Sequence, residues 1–190
     1  MDCYETIHFI RISNIIFLQV SALLGALRRG EGADLLLDAF DGKVDLSRNA
    51  LGAGEARVLG AALAHNTSVT QLDLNNCQLD GSDAAALLDA LGPNRTLHTL
   101  SLQSNRIDAA GSATLAEAMR RNTSITTIGL GGNAIGPVGA ASLAEAMARN
   151  TNITEIRLVG NRIGDAGAAS EAAIQRACQV CVLRMIPQSL

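Results

Sequence analysis

The segment LAEAMRRNTSIT at residues 115–126 returns almost unchanged as LAEAMARNTNIT at residues 143–154, 28 positions later. A near copy at that distance constrains the fold more than any other feature, because units of this size repeat in order to stack. Laid out in rows of 28, the sequence places Leu72, Leu100, Ile128 and Ile156 in one column. Leu74, Leu102, Leu130 and Leu158 form a second, and Leu79, Ile107, Ile135 and Ile163 a third. Between them runs a polar column of Cys77, Asn105, Asn133 and Asn161. The rows open at Val69, Leu97, Ile125 and Ile153. One row earlier, Val44, Leu46, Asn49 and Leu51 occupy the same columns, with Asp41 in place of the opening aliphatic residue.

Each row changes period halfway. The spacing L-x-x-L-x-L contains an alternation of two, the mark of a strand with one buried face. Beyond the Asn column the spacing becomes helical. Leu59 with Leu63, Leu87 with Leu91, Leu115 with Met119 and Leu143 with Met147 are i, i+4 pairs set among alanines, which predicts closely packed helices. Asn66, Asn94, Asn122 and Asn150 follow the helical stretches, and a left-handed helix end is the expected role for asparagine there. A single strand-and-helix unit cannot bury its own apolar face. Stacked units can, so the expected architecture is an α/β solenoid, a horseshoe segment with parallel strands on the concave face and helices on the convex face. The column Asn49, Cys77, Asn105, Asn133 and Asn161 is expected to satisfy backbone groups of the turn after each strand. Cys77 offers only a weak donor, which predicts a weaker rung at that row.

The full pattern, L-x-x-L-x-L-x-x-N/C-x-L, resembles the leucine-rich repeat family. Its 28-residue period is similar to the ribonuclease-inhibitor subtype, shared by Ran GTPase-activating protein, tropomodulin and the NOD-like receptors. The resemblance spans about residues 41–186. What it implies most often is a non-enzymatic module for binding a protein, with no cofactor and no metal. The LAEAM and NTSIT cadence is similar to NOD-like receptor repeats, although no nucleotide-binding domain accompanies it in this sequence. Similarity to Ran GTPase-activating protein implies an alternative, a regulator of a small GTPase. Only the structural columns match that protein, and its acidic tail has no counterpart here.

The two ends depart from the grid. All four aromatic residues, Tyr4, Phe9, Phe17 and Phe40, lie in the first 40 positions. Residues 1–40 are read as a degenerate cap or partial first repeat, with Ile16, Leu18 and Leu23 in the strand columns and Leu35, Leu36 and Phe40 in the helix. Residues 41–190 form the repeats proper. The apolar run 12–27 also admits a signal-peptide core with Val20-Ser21-Ala22 as a cleavage-like site, which gives a secreted alternative to the cytoplasmic expectation. Its acidic preface, Asp2 and Glu5, is wrong for a signal. Arg11 bounds the run short of a membrane span. At the other end a helix is expected over 166–177, with Glu171 and Gln175 where Leu143 and Met147 stand one row earlier. Val180, Leu183 and Met185 then restart a strand pattern one residue early, leaving a strand edge that suits self-association.

Little else points to chemistry. A net charge of -3 supplies no basic surplus for nucleic acid. Cys178 and Cys181 form a CxxC that lacks further zinc ligands and lies where a helix ends, so ordinary thiols are expected. Asn66-Thr-Ser, Asn94-Arg-Thr, Asn122-Thr-Ser and Asn152-Ile-Thr match the N-glycosylation acceptor pattern, but turn chemistry explains their placement equally well. His8, His65 and His98 converge with no nucleophile, and Gly129-Leu-Gly131-Gly132 falls on strand positions rather than in a phosphate loop. What remains is the concave face. Its expected residues are Lys43, Asp45 and Ser47, then Gln71, Asp73 and Asn75, then Thr99, Ser101 and Gln103, then Thr127 with Gly129 and Gly131, then Glu155, Arg157 and Val159. Arg106 and Arg162 add to the rim. Curved repeat arrays use such a surface for an extended protein partner.

Overall fold

The computed structural model describes residues 19–30, 32–38, 40, 42–177 and 180–182. A helical segment α1 covers 19–29. It is followed by α2 (Ala33–Leu37), β1 (Gly42–Asp45), α3 (Ala53–Leu63), β2 (Val69–Asp73), α4 (Gly81–Ala90), β3 (Thr99–Ser101) and α5 (Ala109–Arg121). Then come β4 (Thr127–Gly129), α6 (Gly136–Arg149), β5 (Glu155–Arg157), a 3-10 turn (Asp165–Gly167), α7 (Ala168–Ala177) and β6 (Val180–Val182). The strands form one six-stranded sheet in sequence order, every pair parallel. A helix returns the chain between successive strands, which is how parallel neighbours must be connected. The result is an α/β solenoid of parallel strands and helices.

The strand columns pair with themselves. Lys43 lies beside Gln71, Gln71 beside Thr99, Thr99 beside Thr127 and Thr127 beside Glu155. Leu72, Leu100, Ile128 and Ile156 therefore stack directly, and they are buried together with Leu74, Leu102, Leu130 and Leu158. From the helices, Leu59, Leu63, Leu87, Leu91, Leu115, Met119, Leu143 and Met147 close the other side of one continuous core. Helix α4 reaches α5 through Gly81 and Gly111, where a Cβ on Gly81 would overlap the Gly111 backbone. Only glycine permits that approach, so these two positions set the helix spacing.

The ends depart from expectation in two places. Leu23, aligned above with the strand-side columns, instead lies in α1 and is fully buried, so the segment around it contributes a helix to the core. Helical spacing of Leu23 and Leu27, both buried, is the local reason. Ile16 and Leu18 fall outside the described residues, as do Asp41 and Cys178. At the far end β6 pairs Ile156 with Cys181, not with a position near Leu183, which lies outside the described residues. Only residues 178–179 separate α7 from β6, whereas residues 150–154 separate α6 from β5. With three fewer positions between helix and strand, the last register is advanced by three. No helix among the described residues is long and apolar enough to cross a membrane.

Candidate protein-binding face

The alternation that buries the leucines turns the residues between them toward the concave side. Lys43, Asp45, Gln71 and Arg157 are exposed there. Ser47, Asp73, Asn75, Thr99, Ser101, Gln103, Thr127 and Glu155 are half-buried by their neighbours along the sheet. At the first coils Lys43 Nζ stands 3.6 Å from Asp45 and 3.9 Å from Asp73. At the last, Arg157 Nε donates to Glu155 at 2.7 Å. The middle is uncharged and low in relief. Gly129 is buried beneath Gln103, whose Nε2 would lie 3.2 Å from a Cβ placed there. Of the rim arginines, Arg106 donates to Gln78 Oε1 at 2.8 Å, and Arg162 is exposed in a left-handed turn.

Three of the face residues also hold the scaffold. Asp45 Oδ1 accepts from the Ser47 amide and Asp73 Oδ1 from the Asn75 amide, each at 3.0 Å. Asn75 Oδ1 accepts from the Gln103 amide of the next coil at 2.7 Å. Burial pulls the Asp45 carboxyl up, but the hydrogen bonds from Ser47 and the charge of Lys43 outweigh it and hold the group below its ordinary value. These side chains shape the turn that follows each strand. In that turn Arg48, Asn76, Ser104, Gly132 and Gly160 all have positive φ, at 63, 56, 55, 68 and 77°. The left-handed residue thus recurs once per coil at the strand exit.

Two asparagine ladders bracket the strands. At the strand exit, Asn105 Oδ1 accepts from the Cys77 and Leu79 amides of the preceding coil, and its Nδ2 donates to Leu74 O at 2.9 Å. Asn133 repeats this with Ile107 and Leu102, while Asn49 stays within its own coil on Leu46 and Ser47. Asn161 donates to Leu130 and Leu158, but among the described residues its buried Oδ1 has no partner. In Cys77 the thiol substitutes as donor, 3.2 Å from Leu46 O. Burial, only partly opposed by the Asn49 amide, pushes that thiol up to about 11.

The second ladder was not visible as such in the sequence. Asn66, Asn94, Asn122 and Asn150 are not left-handed helix ends, since none has positive φ and Asn122 and Asn150 are extended (ψ 134 and 124°). Each instead turns its Oδ1 onto two amides of the following loop, as Asn94 does with Thr96 at 2.9 Å and Leu97 at 2.8 Å. In Asn94 and Asn150 the Nδ2 then reaches back one coil, Asn94 to the Leu63 and Asn66 carbonyls and Asn150 to Met119 and Asn122, whereas Asn122 Nδ2 has no partner among the described residues. Asn66 reaches Asp38, so the ladder begins before the first strand. A third set of rungs comes from hydroxyls, with Thr70, Thr126 and Thr154 donating to Gly42, His98 and Thr126 carbonyls. The 28-residue spacing of Asp38, Asn66 and Thr70 with their partners was the signal available in the sequence.

Among the described residues no group of three or more His, Cys, Asp or Glu side chains is placed to hold a metal ion. The His98 ring instead meets the Ser124 carbonyl at 3.2 Å. The family described as leucine-rich repeat matches residues 65–88, 94–116, 121–144 and 149–170. No curated protein sequence matches the chain. Among solved structures, leiomodin-1 actin-binding site 2 is similar at TM-score 0.61 and 18% identity, over 82% of this chain and 87% of that one. The C-terminal domain of Caenorhabditis elegans tropomodulin is similar at TM-score 0.59 and 17% identity, over 83% of this chain and 92% of its own. At such identities the likeness establishes the fold.

Proposed function

This chain folds as a leucine-rich-repeat solenoid, and from that premise we propose that it is a non-enzymatic module that binds a protein partner on its concave strand face. The distribution of charge over that face supports the reading. Along Asp45, Asp73, Ser101, Gly129 and Arg157 the side chains pass from acidic, through small and uncharged, to basic. Along the adjoining column, Lys43, Gln71, Thr99, Thr127 and Glu155, the sign runs the opposite way. Two columns of opposed polarity fix the register of a bound segment, which is what interfacial charges do best. The ribonuclease-inhibitor type of repeat is part of the same proposal, supported by strand partners 28 positions apart from Lys43–Gln71 through Gly129–Arg157.

The test compares the parent with a variant carrying Lys43→Glu, Gln71→Arg and Arg157→Glu. These exposed positions are chosen over Asp45, Asp73 and Asn75, whose side chains cap the turns. After circular dichroism and urea unfolding establish equal folding, both are used as bait and the captured proteins are identified. A protein held by the parent and released by the variant supports the face. Equal capture moves binding to the rims or helices. The solved leiomodin-1 relative is an actin-binding site, so actin is the first purified protein to assay, by co-sedimentation.

Self-association is a second proposal, favoured by the position of β6. It is last in the sheet order, and among the described residues no strand lies beyond it. Light scattering across a hundredfold concentration range should show mass rising above one chain. A constant single-chain mass would end that reading.

A further inference from the structure

Three of the four glycosylation acceptor patterns coincide with the second ladder: Asn66-Thr-Ser, Asn94-Arg-Thr and Asn122-Thr-Ser. The fourth does not. Asn152-Ile-Thr lies two residues past the ladder position Asn150. We infer that N-glycosylation at Asn66, Asn94 or Asn122 and folding of this solenoid exclude one another, and that Asn152 is the acceptor the folded chain leaves open.

The argument is geometric and independent of the concave-face reading. Glycan transfer forms a bond between Nδ2 and C1 of the sugar. The amide gives up one proton, and the lipid-pyrophosphate that carried the oligosaccharide departs. One N–H remains where there were two. Asn94 Nδ2 spends its hydrogens on the Leu63 carbonyl at 2.6 Å and the Asn66 carbonyl at 3.2 Å, both in the preceding coil. Asn66 Nδ2 is likewise committed, to Asp38 Oδ1 at 2.8 Å and Ser68 Oγ at 3.1 Å. Asn94 is 1% exposed, Asn122 3% and Asn66 8%. A sugar on any of them must occupy the seam between stacked coils, where the Oδ1 atoms are already closed over the loop amides of Val69, Leu97 and Ile125. The hydroxyls of the Asn94 and Asn122 patterns are drawn inward as well. Thr96 Oγ1 donates to the Asn66 carbonyl at 3.0 Å, and Ser124 is buried. Asn152 differs in its own side chain and in exposure, although Thr154 Oγ1 also donates to the Thr126 carbonyl at 3.3 Å. It is half-exposed, its backbone amide rather than its side chain meets Asn150 Oδ1 at 2.8 Å, and Thr154 of its pattern is exposed.

The experiment fuses a cleavable secretory signal to the full chain. The fusion is translated in the presence of glycosylating microsomes, and the glycoforms are separated by protease resistance. Site occupancy is read by mass spectrometry after enzymatic removal of the glycans. Resistant chains are expected to carry glycan at Asn152 or at no site. Chains occupied at Asn66, Asn94 or Asn122 should be digested at least tenfold faster. A companion chain with Ser68→Ala, Thr96→Val and Ser124→Ala, made with and without microsomes, should be equally resistant in both. Protease-resistant chains glycosylated at Asn66, Asn94 or Asn122 would overturn the inference, as would failure of the companion chain to gain glycan at Asn152 when its fold is intact.

Discussion

At the exit of each strand Asn105 takes two amides from the coil before it, and at the start of each strand Asn94 takes two amides from its own loop. Both then give Nδ2 to carbonyls of the preceding coil. The chemistry is the same but the division of labour is not. Asn105 spends its Oδ1 between coils and divides its Nδ2 between the preceding coil and the Gln103 carbonyl of its own, whereas Asn94 closes its own loop with Oδ1 and ties coils with Nδ2. Their surroundings differ as well, since Asn105 is half-buried and Asn94 is 1% exposed. Water can replace part of what Asn105 does and almost none of what Asn94 does. A buried amide left without a partner bears the full desolvation cost.

The largest effect is therefore expected at the strand start. Asn94→Ala strips a loop closure and an inter-coil tie from a dry site and should cost about 3–4 kcal/mol. Asn105→Ala should cost about 2 kcal/mol, because removing a half-buried side chain opens a site that water can enter. Urea unfolding of the two variants beside the parent measures both. Equal losses, or a larger loss at Asn105, would remove the distinction between the ladders.

Cys77→Asn sharpens the same comparison from the other side. The thiol supplies a donor to Leu46 but is a poor acceptor for the coil before it. Restoring the amide should raise stability by about 1 kcal/mol at neutral pH. The pH dependence has a definite sign. Burial holds the folded thiol at about 11, above its ordinary value of 9.0. Its contribution is complete below about pH 9 and is lost as pH rises toward 11, because the unfolded chain ionises first. The advantage of Cys77→Asn over the parent should therefore widen between pH 8 and about pH 10. An advantage independent of pH would mean that Cys77 does not titrate as its burial requires.

How far the sequence reveals this molecule follows the same division. The leucine columns and the exit ladder are legible because each depends on one residue type recurring at a fixed offset, and the sheet pairs those columns directly. The strand-start ladder uses an equally regular column, Asn66 to Asn150, yet periodicity gives no backbone angle. Helix-end chemistry was a reasonable expectation that the extended conformation of Asn122 corrects. Asp38 continues the ladder with a different residue, which no column of identical letters reveals. The concave positions were legible as positions but not as roles. Asp73 and Asn75 follow the solvent-facing alternation, and only the geometry discloses that they hold turn and neighbouring-strand amides. The advanced register of β6 escaped for a simpler reason, since a shortened loop moves the pairing without altering the apolar pattern.

The smallest effect belongs to Arg95. Its column otherwise holds Thr67, Thr123 and Thr151. Arg95 Nη1 donates to the Gly92 carbonyl at 2.7 Å and to the Asn94 carbonyl at 2.8 Å. The latter is the acceptor that Asn122 Nδ2 would use by analogy with its neighbours, for Asn94 donates to Asn66 and Asn150 to Asn122. Among the described residues Asn122 Nδ2 is left buried without a partner. Arg95→Thr frees the carbonyl and restores the residue type of the column. The exposed guanidinium loses two bonds that water replaces readily, while the buried amide gains one that water cannot supply. The net gain should be about 0.5 kcal/mol, and Asn122→Ala should be costlier in the Arg95→Thr background than in the parent. A double-mutant cycle by urea unfolding reads that coupling directly. Zero coupling would show that the missing rung at Asn122 has a cause other than Arg95, with the short helix α4 and its Gly92-Pro93 exit next to be tested.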